Sequence, residues 1–303
     1  MTGPSVTLRD VEKKYPDSDL IYSDFNLTVK PGEVMSVFGA VGCGKTTLLK
    51  LIAGLEEPSG NEGSVKVGGC EPARTRIGFV FQAVSESLFP WRTAAENVAF
   101  ALEVGPNIGT WDQLRPGIPF ATKLLSRLLP IGIQERLSAC PCWKDKETTV
   151  RAKGVLKSVG FDMDYANRYP LGLSGGQAQL VALARAIAPE PGLLLLDEPF
   201  NNLDYGARLA LEKHLWKWWT AKQGTVVFVT HDPDTAIALG TRLIVLSAEH
   251  PTHVVKDLEL DLPLERDFGK ITVSERFVAL KKELLQHVSP GLAAVQPTTD
   301  LAS

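Results

Sequence analysis

Short apolar runs, broken by Gly, Pro and polar clusters, open the chain. Val6–Arg9, Ile21–Val29, Glu33–Phe38, Val65–Val67 and Ile77–Phe81 predict strands. From about Ala94 to Ala188 the apolar positions take up helical spacing, and strands return at Leu193–Leu196, Val226–Thr230 and Leu243–Leu246. Leu193–Leu196 and Val226–Thr230 are continuous apolar runs, as expected of parallel strands covered on both faces. The alternation predicts an α/β domain with a helical insertion. Further on, Phe277, Leu280, Leu284 and Val288 recur on one face of a helix expected over Val273–Val288. The Pro-, Ala- and Thr-rich stretch Ser289–Ser303 reads as a mobile tail.

Composition narrows the class. A chain of 303 residues allows one large domain or two, and no second domain-sized segment follows the last strands. Lys plus Arg is 32 and Asp plus Glu is 35, a net charge of −3, which argues against a globally basic nucleic-acid binder. A hydrophobic share of 44% with 22% charged residues excludes wholesale disorder. No run approaches the ~18 apolar residues of a membrane-spanning helix. Arg9 and Asp10 stand where a secretory signal would need an apolar core. Cys43, Cys70, Cys140 and Cys142 are too few for a disulfide scaffold and read as reduced thiols of a cytosolic protein. Cys140 and Cys142 lack a second Cys or His pair to complete a zinc site, which makes them loop residues.

The chemistry begins at Gly39-Ala40-Val41-Gly42-Cys43-Gly44-Lys45-Thr46, an uninterrupted G-x-x-x-x-G-K-[ST]. A buried strand, Val34–Phe38, precedes it and a helix start, Thr47–Ala53, follows. Glycines let backbone N–H groups turn towards phosphate oxygens, and the helix N-terminus adds partial positive charge. Lys45 would neutralise β- and γ-phosphates, and Thr46 would bind Mg²⁺. Leu193-Leu194-Leu195-Leu196-Asp197-Glu198 ends a buried strand in two carboxylates at the sheet edge where ligands bind in open α/β folds. Asp197 is expected to hold Mg²⁺ and Glu198 to act as general base on water.

Between these sites lies Leu173-Ser174-Gly175-Gly176-Gln177, directly before a helical run. With the phosphate loop and the Asp-Glu strand, it resembles the ATP-binding-cassette (ABC) ATPases, over roughly Val6 to Asp261. The resemblance implies a P-loop NTPase fold of the ABC type, with ATP and Mg²⁺ as cofactors. It makes Gln82 the Q-loop glutamine that touches metal or water, and His231 the switch histidine on the γ-phosphate. Asn202-Leu203-Asp204 becomes the D-loop at a dimer interface, and Tyr15 the aromatic that stacks on adenine. It adds Thr47 to the phosphate-binding loop. Ser174, Gly175, Gly176 and Gln177 would face the γ-phosphate held by a second ATP-binding subunit, identical or not. Val41 stands where serine is common, and Ala178-Gln179-Leu180 where arginine is frequent.

A narrower likeness, in Leu88-Phe89-Pro90-Trp91-Arg92-Thr93, Glu96-Asn97-Val98 and Asp257–Asp267, is to ATPase subunits of nitrate, sulfonate, taurine and bicarbonate importers. It implies transmembrane permease subunits, an extracytoplasmic solute-binding protein, a small anion as solute, and a peripheral place on the cytoplasmic face of the inner membrane. Leu88–Trp91 suits a docking surface on the permease or packing within the helical subdomain. The ABC ATPase domain is expected over 1–265, with a helical subdomain at about 88–188 and a C-terminal helix and tail over 266–303. An extra insertion at about 105–146 carries an amphipathic pattern from Pro119 to Leu129. It would pack on its own subdomain or contact a partner. The alternatives share the same catalytic motifs: an exporter or lipid-transport ATPase, and a soluble non-transport ABC ATPase.

Overall fold

The computed structural model describes residues 2–16, 18–60, 63–104, 146–201 and 203–287. The expected 119–129 helix, Cys140, Cys142, Asn202, Val288 and the 289–303 tail lie outside the described residues.

Strands β1 (Val6–Lys14), β2 (Leu20–Val29) and β4 (Ser64–Val67) form an antiparallel sheet in the order β2-β1-β4. The second sheet comprises β3 (Val34–Phe38), β5 (Ile77–Val80), β6 (Leu193–Asp197), β7 (Thr225–Thr230), β8 (Arg242–Leu246) and β9 (Val254–Glu259). Its order is β5-β6-β7-β3-β8-β9, parallel except for β9, which runs antiparallel along β8. The helices are α1 (Lys45–Ile52), α2 (Val84–Ser87), α3 (Ala94–Val104), α4 (Lys146–Ser158), α5 (Gly175–Ile187), α6 (Tyr205–Lys222), α7 (Pro233–Leu239) and α8 (Glu275–Gln286).

The continuous apolar strands have two cores to fill. Leu193, Leu195, Val227 and Val229 face α1 and the antiparallel sheet, whereas Leu194, Leu196, Val226 and Phe228 face the helices on the other side. Alternation along a strand sends successive side chains to opposite faces, so burial on both faces leaves no polar position. Within the helical subdomain, α3 packs on α4 and α5. Phe277, Leu280 and Leu284 of α8 are buried, and α8 packs on α7. Ser174 and Gln177 form a reciprocal capping box that starts α5.

Among the strands, β1 and β9 differ most from the sequence expectation. β1 continues past Arg9 to Lys14, because a register shift between Leu8 and Val11, with Asp10 at φ 46°, resets the alternation and buries Val11 and Lys13. β9 went unrecognised, since its residues are mostly polar or half-exposed, as an edge strand allows.

Candidate nucleotide site

Four strands deliver the site. β5, β6, β7 and β3 are neighbours and parallel, so the residues following them emerge at one carboxyl edge. The 39–44 loop follows β3, Asp197 ends β6, His231 follows β7, and Gln82 lies two residues beyond β5.

The loop turns through Gly42 (φ 89°) and Gly44 (φ 93°) into α1. The latter is the N-cap of α1 and makes no side-chain capping bond, and the first turn carries no acidic residue. No acidic side chain of α1's own first turn competes for the N–H groups and partial charge of that terminus. Cys43 is buried beneath the loop, where burial pushes its thiol up. A Cβ on Gly39 would lie 2.6 Å from Cys43 Sγ, so a larger residue here would have to displace the buried Cys43 side chain. Val41 is 87% exposed at the loop's crest.

Lys45 Nζ donates to the carbonyls of Gly39 (2.8 Å) and Ala40 (2.9 Å) and lies 4.0 Å from Glu198 Oε1. Thr46 Oγ1 is 3.1 and 2.9 Å from the two Asp197 carboxylate oxygens. Burial pushes the Asp197 carboxyl up, and the Thr46 hydroxyl pulls it back. Glu198 is buried at φ 47°. His231 Nδ1 lies 3.0 Å from Glu198 Oε1, and an ionised carboxylate only accepts, so Nδ1 carries the hydrogen of this pair. The other carboxylate oxygen, Oε2, is buried without a hydrogen-bond partner among the described residues. A buried acceptor left open in this way is aimed at something that donates.

The expected signature and D-loop residues meet each other. A Cβ on Gly176 would lie 3.3 Å from Ala207 Cβ and 3.5 Å from Leu203 Cδ2. The exposed Asp204 caps α6 by accepting from Ala207 N at 2.9 Å. Ser174, Gly175 and Asp204 are all exposed. No hydrogen bond among the described residues links Ser174–Gln177 to the 39–47 loop. Tyr15, half-exposed, lies under the Lys13 ammonium at 4.8 Å. It follows by two residues Lys13, the register partner of Tyr22, whose hydroxyl reaches the loop at Gly44 O. Gln82 is exposed.

Leu88 is buried in the subdomain core, and Phe89 packs on Phe100 at 4.8 Å with the Arg92 and Arg185 guanidinium groups near its ring. Trp91, half-buried like Phe89, lies against its ring at 5.6 Å, so the packing expected of Phe89 and Trp91 is present, while Pro90 stays exposed. Tyr22 and Thr252, both touching the loop, escaped the sequence reading. Tyr22 is one more inward residue of a strand, and Thr252 stands in a polar segment without a motif.

A family profile described as ABC transporter matches residues 22–201. The chain is 32% identical over 293 residues to the aliphatic sulfonates import ATP-binding protein SsuB of Bacillus cereus, covering 95% of this chain and 97% of that protein. It is 35% identical over 267 residues to SsuB 1 of Xanthomonas axonopodis pv. citri, covering 88% and 90%. A dimeric, post-hydrolysis structure of the ATP-binding cassette MJ0796 bound to ADP and Pi aligns at TM-score 0.63 and 30% identity, covering 85% of this chain and 100% of that one.

Proposed function

The chain belongs to the ABC transporter family and is an ABC ATPase, and from that premise we propose that it powers an importer through separate membrane subunits. The observation that carries the proposal is the joining of Lys45, Thr46, Asp197, Glu198 and His231 at one sheet edge. In this reading residues Gly39–Thr47 cradle the phosphates of ATP, with backbone N–H groups and Lys45 neutralising charge. Thr46, Asp197 and Gln82 would hold Mg²⁺, which when bound offsets charge on the β- and γ-phosphates. Among the described residues no group of three His, Cys, Asp or Glu could cage a metal. That donor set fits Mg²⁺, which takes few protein oxygens and shares its shell with phosphate and water.

Glu198 takes the proton of the attacking water at its open Oε2, while its Oε1 orients His231 towards the γ-phosphate. Tyr15 stacks on the adenine. Ser174, Gly175, Gly176, Gln177 and Asp204 serve the nucleotide of a second ATP-binding subunit. The exposed Leu171 (93%) and Tyr205 (74%), beside the signature and D-loop motifs, give apolar character suited to a partner. No helix among the described residues is long and apolar enough to cross a membrane, so the translocation path belongs to permease subunits. Peripheral association on the cytoplasmic face follows, with Pro90 and Trp91 as the contact. The solute would be a small anion of the sulfonate kind, delivered by a solute-binding protein. Residues 1–265 form the ATPase unit and 266–303 the C-terminal addition.

Affinity purification from gently solubilised membranes, with partners identified by mass spectrometry, tests this. A stoichiometric multi-span protein supports it. Recovery with ribosomal, DNA-repair or assembly proteins alone would replace it with a non-transport role.

A further inference from the structure

Two hydroxyls outside the motifs grip the phosphate loop from behind. Tyr22 of β2 is fully buried, and its Oη donates to Gly44 O at 2.9 Å. Thr252, 1% exposed between β8 and β9, donates its Oγ1 hydrogen to Cys43 O at 3.0 Å. That hydrogen being committed, the 3.1 Å contact to His250 Nδ1 is a bond the imidazole donates. The grips are tied together, since Thr252 N donates to Ile21 O at 2.7 Å, next to Tyr22. Space is tight as well: a Cβ on Gly44 would lie 2.7 Å from Ile21 Cγ2 and 2.9 Å from Tyr22 Oη.

The consequence follows from peptide geometry. In a trans peptide the carbonyl and the following N–H point in opposite directions. Thr252 holds Cys43 O, and Gly44 O is held twice, by Tyr22 and by Leu48 N at 2.9 Å in the first bond of α1. Both carbonyls therefore stay on the protein side, and the N–H groups of Gly44 and Lys45 turn to the opposite side. That is the open N-terminus of α1. Gly44 is the residue most free to rotate these planes, because glycine crosses φ space with little resistance. We propose that Tyr22 and Thr252 are positioning residues that hold the loop's N–H groups in their phosphate-binding orientation. The inference rests on the reading that residues 39–47 bind the nucleotide phosphates.

The test uses the full chain and four variants: Thr252→Val, Thr252→Ser, Tyr22→Phe and Lys45→Ala. Calorimetry with ATP and ADP gives Kd, and phosphate release gives KM and kcat. Thr252→Val and Tyr22→Phe should each raise Kd and KM roughly three- to tenfold, the value of one neutral hydrogen bond. Their kcat should stay within about twofold, because the contact serves ground and transition states alike. Thr252→Ser keeps the hydroxyl and should bind as the parent does. General loss of stability would not produce this split among folded samples. Unchanged Kd in both Thr252→Val and Tyr22→Phe overturns the inference, as does Thr252→Ser binding as weakly as Thr252→Val. Lys45→Ala separates the two levels: if it too leaves Kd unchanged, the phosphate-loop reading itself fails. Should Thr252→Val not fold, Tyr22→Phe decides alone.

Discussion

Replacing Glu198 by Gln removes one negative charge and one proton acceptor while keeping the side chain's shape. The amide still satisfies His231, since its oxygen can accept from Nδ1–H at the 3.0 Å separation seen for the carboxylate. What disappears is the basicity of Oε2, the buried oxygen without a partner among the described residues. Loss of a positioned general base costs about 10²- to 10⁴-fold in rate. Binding should move the other way. Glu198 lies 4.0 Å from Lys45 Nζ, so a phosphate drawn to Lys45 comes close to the carboxylate. Two like unit charges ~5 Å apart at an effective dielectric of about 20 repel by about 3 kcal/mol, an upper bound that the amide relieves. Glu198→Gln should therefore bind ATP at least as tightly as the parent and hydrolyse it at least a hundredfold more slowly, trapping a closed dimer. Fluorescent-ATP titration, phosphate release at saturating ATP, and gel filtration with ATP measure the three effects. Hydrolysis within threefold of the parent rate would refute the general-base assignment. Slow hydrolysis with weakened binding would show that the glutamine had disturbed the loop instead.

Asn97 is fully buried and bonds the 89–93 segment through Phe89 N (2.8 Å), Phe89 O (3.2 Å), Arg92 O (3.1 Å) and Thr93 O (3.1 Å). Asn97→Ala should cost about 2–3 kcal/mol and speed amide exchange in that segment above all others, as exchange mass spectrometry would show. Arg242 clasps Asp257 with two 2.7 Å bonds that join β8 to β9 and hold the Asp257 carboxyl below its ordinary 3.8. With the folded value depressed, the unfolded chain takes up the proton first. The pair's stabilisation is complete above pH 3.8 and is lost as pH falls through the lower folded value. In Arg242→Ala the urea midpoint should vary less steeply with pH over that window, and an unaltered slope would refute the assignment.

Much of the site was legible because its parts are local. The 39–46 loop needs glycines, a lysine and a hydroxyl in fixed sequence, and Leu193–Glu198 needs only a strand and two carboxylates. Ser174 and Gln177 announce a helix start through a capping box four residues long. The Leu88–Trp91 cluster was ambiguous for a physical reason: apolar residues suit a docking face and a core equally. Only the packing of Leu88 and of Phe89 against Phe100 separates them from the exposed Pro90.

The sequence by itself determined which residues end the buried strands, that those strands are covered on both faces, and which chemistry they carry. It could not determine strand order. The neighbourhood of β3, β7 and β6 sets Lys45, His231 and Glu198 against one another, although each is far from the others along the chain. Nor could it indicate that Tyr22 and Thr252 share the burden of holding one loop. Each is ordinary in its own segment, and its role arises from where a distant carbonyl happens to point. Hydrophobic pattern is a property of neighbours in sequence, whereas a hydrogen bond across 209 positions exists only after the sheets have packed.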